Sequence, residues 1–404
     1  MTSGANGLFF YIDDDHTLVF EKFVRGIDLK RFFARPWRRA AQQSWEGEYL
    51  FKDRRRVMAV ADPSRATTIP IPVEFVREPS DVKLPITVPE LENRIAQETA
   101  KIFNRCRAEA AARLGVHELD TVLVGEKARA FKVDGAPAAN PAGLAGKKVT
   151  LLLELTFTGR ELFETLKPFF NAPEDFYFAE SPQSRLSSLA KVGKVPLAII
   201  APGDAPNAGD GKDAGAGEEM RGGHAAPHSS LFILQSAHGR HAYPVLYREP
   251  FSWEFERVFG RIEHAFGVGP GVARELYAAY CGGGFSESGG RAFKKVIEPA
   301  FEELYAEMAK KKLKGAVYVD APYGLPFALP HREGEAVFES MPLGEALALA
   351  GFAEGMQAHG GKKGAVPHAN ALSHHLLPFI EAYFDRSGTD LNRKLRRRLH
   401  WLAS

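Results

Sequence analysis

The sequence predicts an α/β protein of two related lobes. A strand hairpin followed by helices occurs twice, once on each side of residues 202–230, a stretch rich in Gly, Ala, Asp and His. Between the hairpin and the end of the first half lies a self-contained strand-helix-strand-strand pattern. The chain has 404 residues, more than one hydrophobic core usually organises.

The first half opens with strands at 8–13 and 17–24, joined by the tight turn Asp14-Asp15-His16, and short strands are expected at 48–51 and 56–61. Residues 68–76 (TIPIPVEFV) are extended, and Pro70 and Pro72 confine them to a sheet edge. Thr87 with Glu90 three residues on is a capping box. Leu91, Ile95, Thr99, Ile102, Cys106, Ala110 and Leu114 then recur at helical spacing until Gly115. Strands follow at 119–124, 128–133 and 148–158, and a helix at 160–170.

After a helical segment within 178–192, the second half begins with the buried-type strand 196–201 (PLAIIA). Residues 202–230 hold almost no large apolar side chain, so they are expected to form a disordered surface insertion. A hairpin is expected at 230–235 and 241–247, with helices at 253–266, 271–280 and 291–313, the last bent at Pro299. A strand at 316–320 and helices at 343–356 and 371–384 precede a basic tail.

Composition excludes several classes. An apolar share of 45% with 25% charged residues is ordinary for a globular protein. Lys plus Arg number 52 against 50 acids, so no global charge calls for a nucleic acid. Cys106 and Cys281 are the only cysteines, which fits a reducing cytoplasm rather than a disulfide scaffold. Residues 1–7 lack the basic and apolar regions of a signal peptide, and no window has the length of a membrane span.

Asn140-Pro141-Ala142-Gly143-Leu144-Ala145-Gly146, between two strands, is similar to the "NPxGLxG" turn of the bacterial cell-division FtsA family. Phe178-Ala179-Glu180-Ser181-Pro182 through Leu189 resembles that family's helix before its second lobe. Residues 196–204 then stand in the place of its phosphate-binding strand and turn. The resemblance, in element order, runs from about residue 8 to 352. It implies an actin-like (ribonuclease H-like) two-lobed fold with an inserted strand-helix-strand-strand (SHS2) subdomain. The pilus-assembly PilM family shares this plan. The expected division is 1–63 and 171–195 for the first lobe, 64–170 for the subdomain, 196–356 for the second lobe, and 357–404 for a helix, linker and amphipathic tail.

That resemblance implies a nucleotide site, and the motifs for it are eroded. An actin-type site needs glycine amides at the phosphates and an Asp in each of two turns for the metal ion. The first turn, Asp13-Asp14-Asp15-His16, has acids but no glycine. The second reads Ala201-Pro202-Gly203-Asp204, with Ala201 where an Asp is expected and Pro202 lacking an N–H. The third, 320–326, keeps Gly324 of the usual glycine pair. Asp13, Asp15, Gly203, Asp204 and Gly324 are therefore the residues left to meet ATP with Mg, if either binds. No catalytic or metal-ligating set is predicted, and efficient ATP hydrolysis is not expected.

Other motifs favour structural roles. Gly267 to Gly271 and Gly282-Gly283-Gly284 follow helices and not strands, as helix caps do. Of His224, His228, His238 and His241, two lie in the expected insertion and no cysteine or helical pairing supports a metal site, and Cys281 has no base partner.

In the tail, Leu391, Leu395, Leu399 and Leu402 form one stripe at helical spacing, with Arg393, Lys394, Arg396, Arg397 and Arg398 around it and Trp401 at its edge. A basic amphipathic helix of this kind lies on an anionic membrane surface; the alternative is a terminal helix packed on the body. Residues 359–364 have linker composition. The expected function is an FtsA-like, cytoplasmic, membrane-peripheral scaffold of cell division that self-associates and tethers partners. A PilM-like adaptor of a pilus or secretion machine, without a functional amphipathic tail, is the alternative. An active actin-type ATPase is the third reading.

Overall fold

The computed structural model describes residues 7–12, 17–23, 26–33, 56–138, 140–167, 176–191, 198–201, 229–235, 245–251, 253–310, 315–319, 326, 332–333, 336–339, 357–358, 376–377, 379 and 389–399. The chain starts with β1 (Gly7–Ile12), β2 (Thr17–Phe23), β3 (Gly26–Phe33) and β4 (Arg56–Ala61). A module follows, with β5 (Ala66–Val76), α1 (Val88–Leu114), β6 (Thr121–Val133), β7 (Ala136–Pro137), β8 (Lys148–Gly159) and α2 (Arg160–Leu166). Next come β9 (Phe176–Glu180), α3 (Ser181–Lys191), β10 (Ala198–Ala201), β11 (Ser229–Gln235) and β12 (Val245–Phe251). Three helices follow, α4 (Glu256–Phe266), α5 (Pro270–Cys281) and α6 (Glu287–Lys310). The last elements are β13 (Gly315–Val319), β14 (Arg332–Glu333), β15 (Ala336–Glu339), β16 (Gln357–Ala358) and α7 (Thr389–Leu399).

Two compact units result, one of Met1–Lys194, Gln235–Leu246 and Leu343–Ser404, the other of Val195–Leu234 and Tyr247–Pro342. The first holds the sheet β16-β3-β2-β1-β4-β9. There β1 and β2, and β2 and β3, are antiparallel, while β1, β4 and β9 run parallel. The other sheet has the order β12-β11-β10-β13-β15-β14, with β10 antiparallel to β11 and β10, β13 and β15 parallel. The two sheets share an arrangement in which the half's first strand lies between its second strand and a parallel later one, with the third strand outside the second: β3-β2-β1-β4-β9 and β12-β11-β10-β13-β15. This repeat agrees with the duplicated hairpin-and-helix plan read from the sequence, and the module enters the first half between β4 and β9.

The module has its own sheet, β5-β8-β6-β7, and its own core. Alternation puts Leu151, Leu153, Leu155 and Phe157 of β8 on the face beneath Leu91, Ile95, Phe103 and Cys106 of α1. α1 carries the expected capping box, with Glu90 N–H donating to the Thr87 hydroxyl at 3.2 Å, and ends on Gly115 at φ 64°. β5 is at the sheet edge, where its two prolines are tolerated. The strands expected separately at 119–124 and 128–133 are one strand, β6. Two bulges bend it against β8, one at Leu123/Gly125 and one at Arg129/Lys132, where Ala130 has φ 54°.

The Asn-Pro-Ala-Gly turn ties the module's loops together. Ile86 and residues 143–144 exchange backbone hydrogen bonds, Ile86 N–H to Leu144 O at 2.7 Å and Gly143 N–H to Ile86 O at 2.8 Å. Gly143 has φ 91°, and a Cβ on Gly146 would lie 2.3 Å from Val133 Cγ1, so both glycines are required by geometry. Arg77 is the hub: its guanidinium bonds both oxygens of Glu90 (2.6 and 3.0 Å), Leu84 O (2.9 Å) and Gly146 O (3.1 Å).

On its other face the module joins the first sheet through Val122 and Val124 of β6, packed with Phe10, Ile12, Phe176 and Phe178. The helices of the second unit enclose an aromatic core of Trp253, Phe255, Phe259, Tyr277, Phe293 and Phe301, with Trp253 Nε1–H donating to Ala300 O at 2.7 Å. α4, α5 and α6 start and stop within a few residues of expectation, and Pro299 lies inside α6. Gly267 caps α4 in the left-handed region and Gly282 caps α5, the cap roles read from the sequence. Residues 202–228 and the helix expected at 343–356 lie outside the described residues, while Ser229 and Ser230, expected at the insertion's edge, are in β11.

Candidate functional site

Parallel register places Ile12 beside Ala61 and Ala61 beside Glu180, so β1, β4 and β9 end together. The carboxyl ends of parallel strands are where open α/β sheets meet ligands. The residues following these ends, Asp62 after β4 and Ser181 after β9, are thereby brought side by side. Tyr11 Oη–H and Ser181 Oγ–H both donate to Asp62 Oδ1, each at 2.6 Å. Arg185, one turn into α3, donates to the Tyr11 hydroxyl and holds its guanidinium 5.5 Å from that ring's centre. Asp62 N–H in turn donates to Ile12 O at 3.0 Å.

This network is largely shut away from water. Arg185 and Tyr11 are each 2% exposed, and Ser181 is fully buried. Glu180, also fully buried, accepts the Thr68 N–H at 2.6 Å, and the Thr68 and Thr156 hydroxyls meet at 3.0 Å. The strand ends are thus joined to the root of the module. α3 packs polar residues inward because serines at 181, 184, 187 and 188 are small enough for close approach, while Leu186 and Leu189 fill the gaps between them. Chemically, Asp62 acts here as an acceptor for hydroxyl groups, and Arg185 completes a charge-assisted chain. The arrangement holds a corner of the fold together.

Of the residues read from the sequence as left for a nucleotide, Asp13, Asp15, Gly203, Asp204 and Gly324 lie outside the described residues. Their neighbours are informative. Ala201 is the last residue of β10, opposite Ser230, and β10 holds the same place in its sheet that β1 holds in the other. In sequence, the residue after the leading strand is therefore Asp13 in one half and Pro202 in the other. Among the described residues, no group of three or more His, Cys, Asp or Glu side chains is placed to hold a metal ion.

The tail differs from its membrane-facing expectation. Leu391 and Leu395 are buried in the module's core against α1 and β6, Leu395 completely. Asn392 Oδ1 accepts the Ala128 N–H at 3.0 Å. Arg397 and Arg398 are exposed, and Arg398 reaches Asn93 and lies 3.7 Å from Glu92. The reason is the bulged strand β6, an edge beyond its short pairing with β7: it offers a backbone donor and an apolar flank, and α7 covers both. Arg393, Arg396 and Leu399 are in α7 with side chains outside the described set, as are Trp401 and Leu402 entirely. Among the described residues no helix is long and apolar enough to cross a membrane.

Sequence reasoning missed Tyr11, Asp62, Glu180, Ser181, Arg185 and Asn392. A usable signal existed for three of them: Asp62 and Glu180-Ser181 stand at the ends of short apolar strands (VMAVA and FYFA), where polar residues meet at a sheet's carboxyl edge.

Cys281 behaves as expected of a structural thiol. Burial pushes it up to about 11, and burial raises Cys106 as well. Thiolate is the reactive form, so iodoacetamide at pH ~7.5 should label neither cysteine in the native protein and both after denaturation. Rapid native labelling of Cys281 would contradict this environment.

No protein-family model and no curated protein matches the chain. Among solved structures, a chain of a PilM–PilN type IV pilus biogenesis complex is similar at 13% identity, covering 99% of this chain and 97% of that one, with a TM-score of 0.38. A Bacteroides thetaiotaomicron protein with an actin-like ATPase fold and unknown function is similar at 6% identity over 78% and 82% of the two chains, with a TM-score of 0.34. The cytoplasmic domain of EpsL, an inner membrane component of the Vibrio cholerae type II secretion system, matches at 8% identity over 60% and 71%, with a TM-score of 0.20. Similarity at this level decides neither family nor function.

Proposed function

We propose that this chain is a non-hydrolysing, actin-like scaffold that docks proteins of a bacterial membrane-associated machine. The observation that carries this is which residue follows the leading strand of each half in sequence. It is Asp13 after β1 and Pro202 after β10, and Pro202 has neither a carboxylate nor an N–H. The buried network of Tyr11, Asp62, Ser181 and Arg185 agrees, since its donors and acceptors bind one another at the strand ends. The module β5-α1-β6-β8 is of SHS2 type in this reading and serves as the contact surface for partners or for another copy.

Two versions of the scaffold differ in the tail. An FtsA-like division protein would lay α7 on the membrane; a PilM-like adaptor would not need to. The burial of Leu391 and Leu395 favours the adaptor version.

The test is ATP turnover by the purified protein with magnesium, alongside a nucleotide thermal shift. Negligible hydrolysis is expected. A rate on the order of 1 per second or faster, abolished by Asp13→Ala or Asp204→Ala, would replace the scaffold with an active ATPase. Nucleotide at about 100 times its dissociation constant would stabilise a binding protein by about 2.7 kcal/mol, so binding without turnover would show in the melting curve.

A further inference from the structure

We propose that the groove between α4 and α6 is a docking site for a short acidic segment of a partner protein. The proposal rests on the scaffold reading and adds a contact surface on the unit to which the module does not belong.

The groove follows from helical spacing. Val258, Phe259 and Ile262 turn one face of α4 into the aromatic core. Arg257, Gly260, Arg261 and His264, at i, i+3, i+4 and i+7, share another face. On α6, Lys295, Pro299 and Glu303 recur every four residues and meet them across a groove of about 710 Å³.

Two residues of this groove run against helix propensity. Gly260 is in the middle of α4, exposed, without a positive φ, and a Cβ built on it meets nothing within 4 Å. Alanine would make a more stable helix there without a clash, so the packing of the chain does not call for glycine. Pro299, inside α6, has no N–H to give to the carbonyl of Lys295 one turn earlier. Departures from local preference are expected at functional sites. Both of these line the same groove: one keeps it open, and the other leaves a backbone acceptor on its wall.

Charge identifies the occupant. Arg257, Arg261, Lys295 and His264 line the groove with a single acid, Glu303. Glu303 accepts from Arg257 at 2.9 Å and from Arg261 at 3.0 Å, and these bonds hold its carboxyl below the ordinary value. The carboxylate thus fixes two guanidiniums along the groove while the cations stay in excess. Arg261 gives Glu303 one of the several N–H donors a guanidinium carries. Among the described residues, Lys295 and His264 have no ion pair. A bare anion would answer the cations but not the Lys295 carbonyl, whereas an acidic peptide brings both carboxylates and backbone N–H groups. From Arg257 to His264 the helix rises about 10 Å, a span of roughly three residues of extended chain.

The test titrates the full-length chain at low salt with a short fluorescent peptide of alternating Asp and Leu, and with its Asn-Leu counterpart. The acidic peptide should bind at least about tenfold more tightly than the neutral one, and Arg261→Glu with Lys295→Glu should abolish that difference. Gly260→Leu keeps every charge but fills the groove, and it should weaken the acidic peptide by about tenfold or more. Gly260→Ala should raise the melting temperature, as an exposed helix position with room for a methyl group does. Melting curves show whether each variant is folded. If the charge-reversed chain is not, Gly260→Leu decides alone, because the space around that position is open. Acidic-peptide binding unchanged by Gly260→Leu would overturn the proposal, leaving only diffuse attraction to surface cations. So would phosphatidylglycerol vesicles or an oligonucleotide binding through Arg261 and Lys295 where the peptide does not bind. ATP turnover is measured separately, so a peptide that fails to bind removes this surface and leaves the scaffold reading to its own test.

Discussion

Asp62→Ala will destabilise the first unit by about 1–3 kcal/mol, the range for leaving buried donors without their acceptor. The substitution takes away the oxygen that accepts both Tyr11 Oη–H and Ser181 Oγ–H, and it removes the carboxylate at the end of the chain that starts at Arg185. Tyr11, Ser181 and Arg185 are buried, so donors left without this acceptor are costly. Asp62→Asn retains a carbonyl acceptor and should cost less than half as much. Urea unfolding combined with hydrogen exchange across β9 and α3 would report the difference. If Asp62→Ala left stability unchanged while altering nucleotide binding, the network would be a ligand site and the structural role assigned to it would be wrong.

Arg77→Ala is the second large effect, expected at about 3–5 kcal/mol in the module. Arg77 is almost wholly buried, and four hydrogen bonds from it hold β5, the 84–86 loop, the start of α1 and the Asn-Pro-Ala-Gly turn in one arrangement. It also determines how this region responds to acid. The hydrogen bonds from the Arg77 guanidinium hold the Glu90 carboxyl below its ordinary value, so its folded-state pKa lies under the unfolded one. Stability from that pair is complete above the unfolded value of about 4.3 and is lost as pH falls through the folded value. The wild-type module should therefore weaken below about pH 4.3, and Arg77→Ala should lose stability at neutral pH while flattening that acid-side slope. A slope identical in both proteins would mean that Glu90 owes its shift to something else.

These effects bear on function through position. The Asp62 network and Thr68–Glu180 contact fasten the module to the strand ends of the first sheet, and the Arg77 hub sets the shape of the module's loops. A scaffold presenting the module to partners needs both rigid.

The sequence by itself determined the elements whose signals are local. The capping box at Thr87 and Glu90, the heptad-like run from Leu91, and Gly115 at the left-handed end define α1 to within a few residues. Prolines 70 and 72 marked β5 as an edge, because a missing N–H cannot be hidden in a ladder. Glycines after α4 and α5 were legible as caps for the same local reason. The repeated hairpin-and-helix order was visible too, since each half repeats its own pattern of periods. What tertiary structure decided depended on who meets whom. No local signal says that β1, β4 and β9 end in register, so the convergence of Tyr11, Asp62, Ser181 and Arg185 was hidden while each residue was ordinary in its own segment. β6 was divided in two because bulges interrupt alternation just as turns do. The leucine stripe of α7 announced an apolar face, but periodicity is the same whether that face meets lipid or protein. Only the neighbouring edge strand, with a backbone donor for Asn392 and a core open to Leu391 and Leu395, settled where that face lies in this fold.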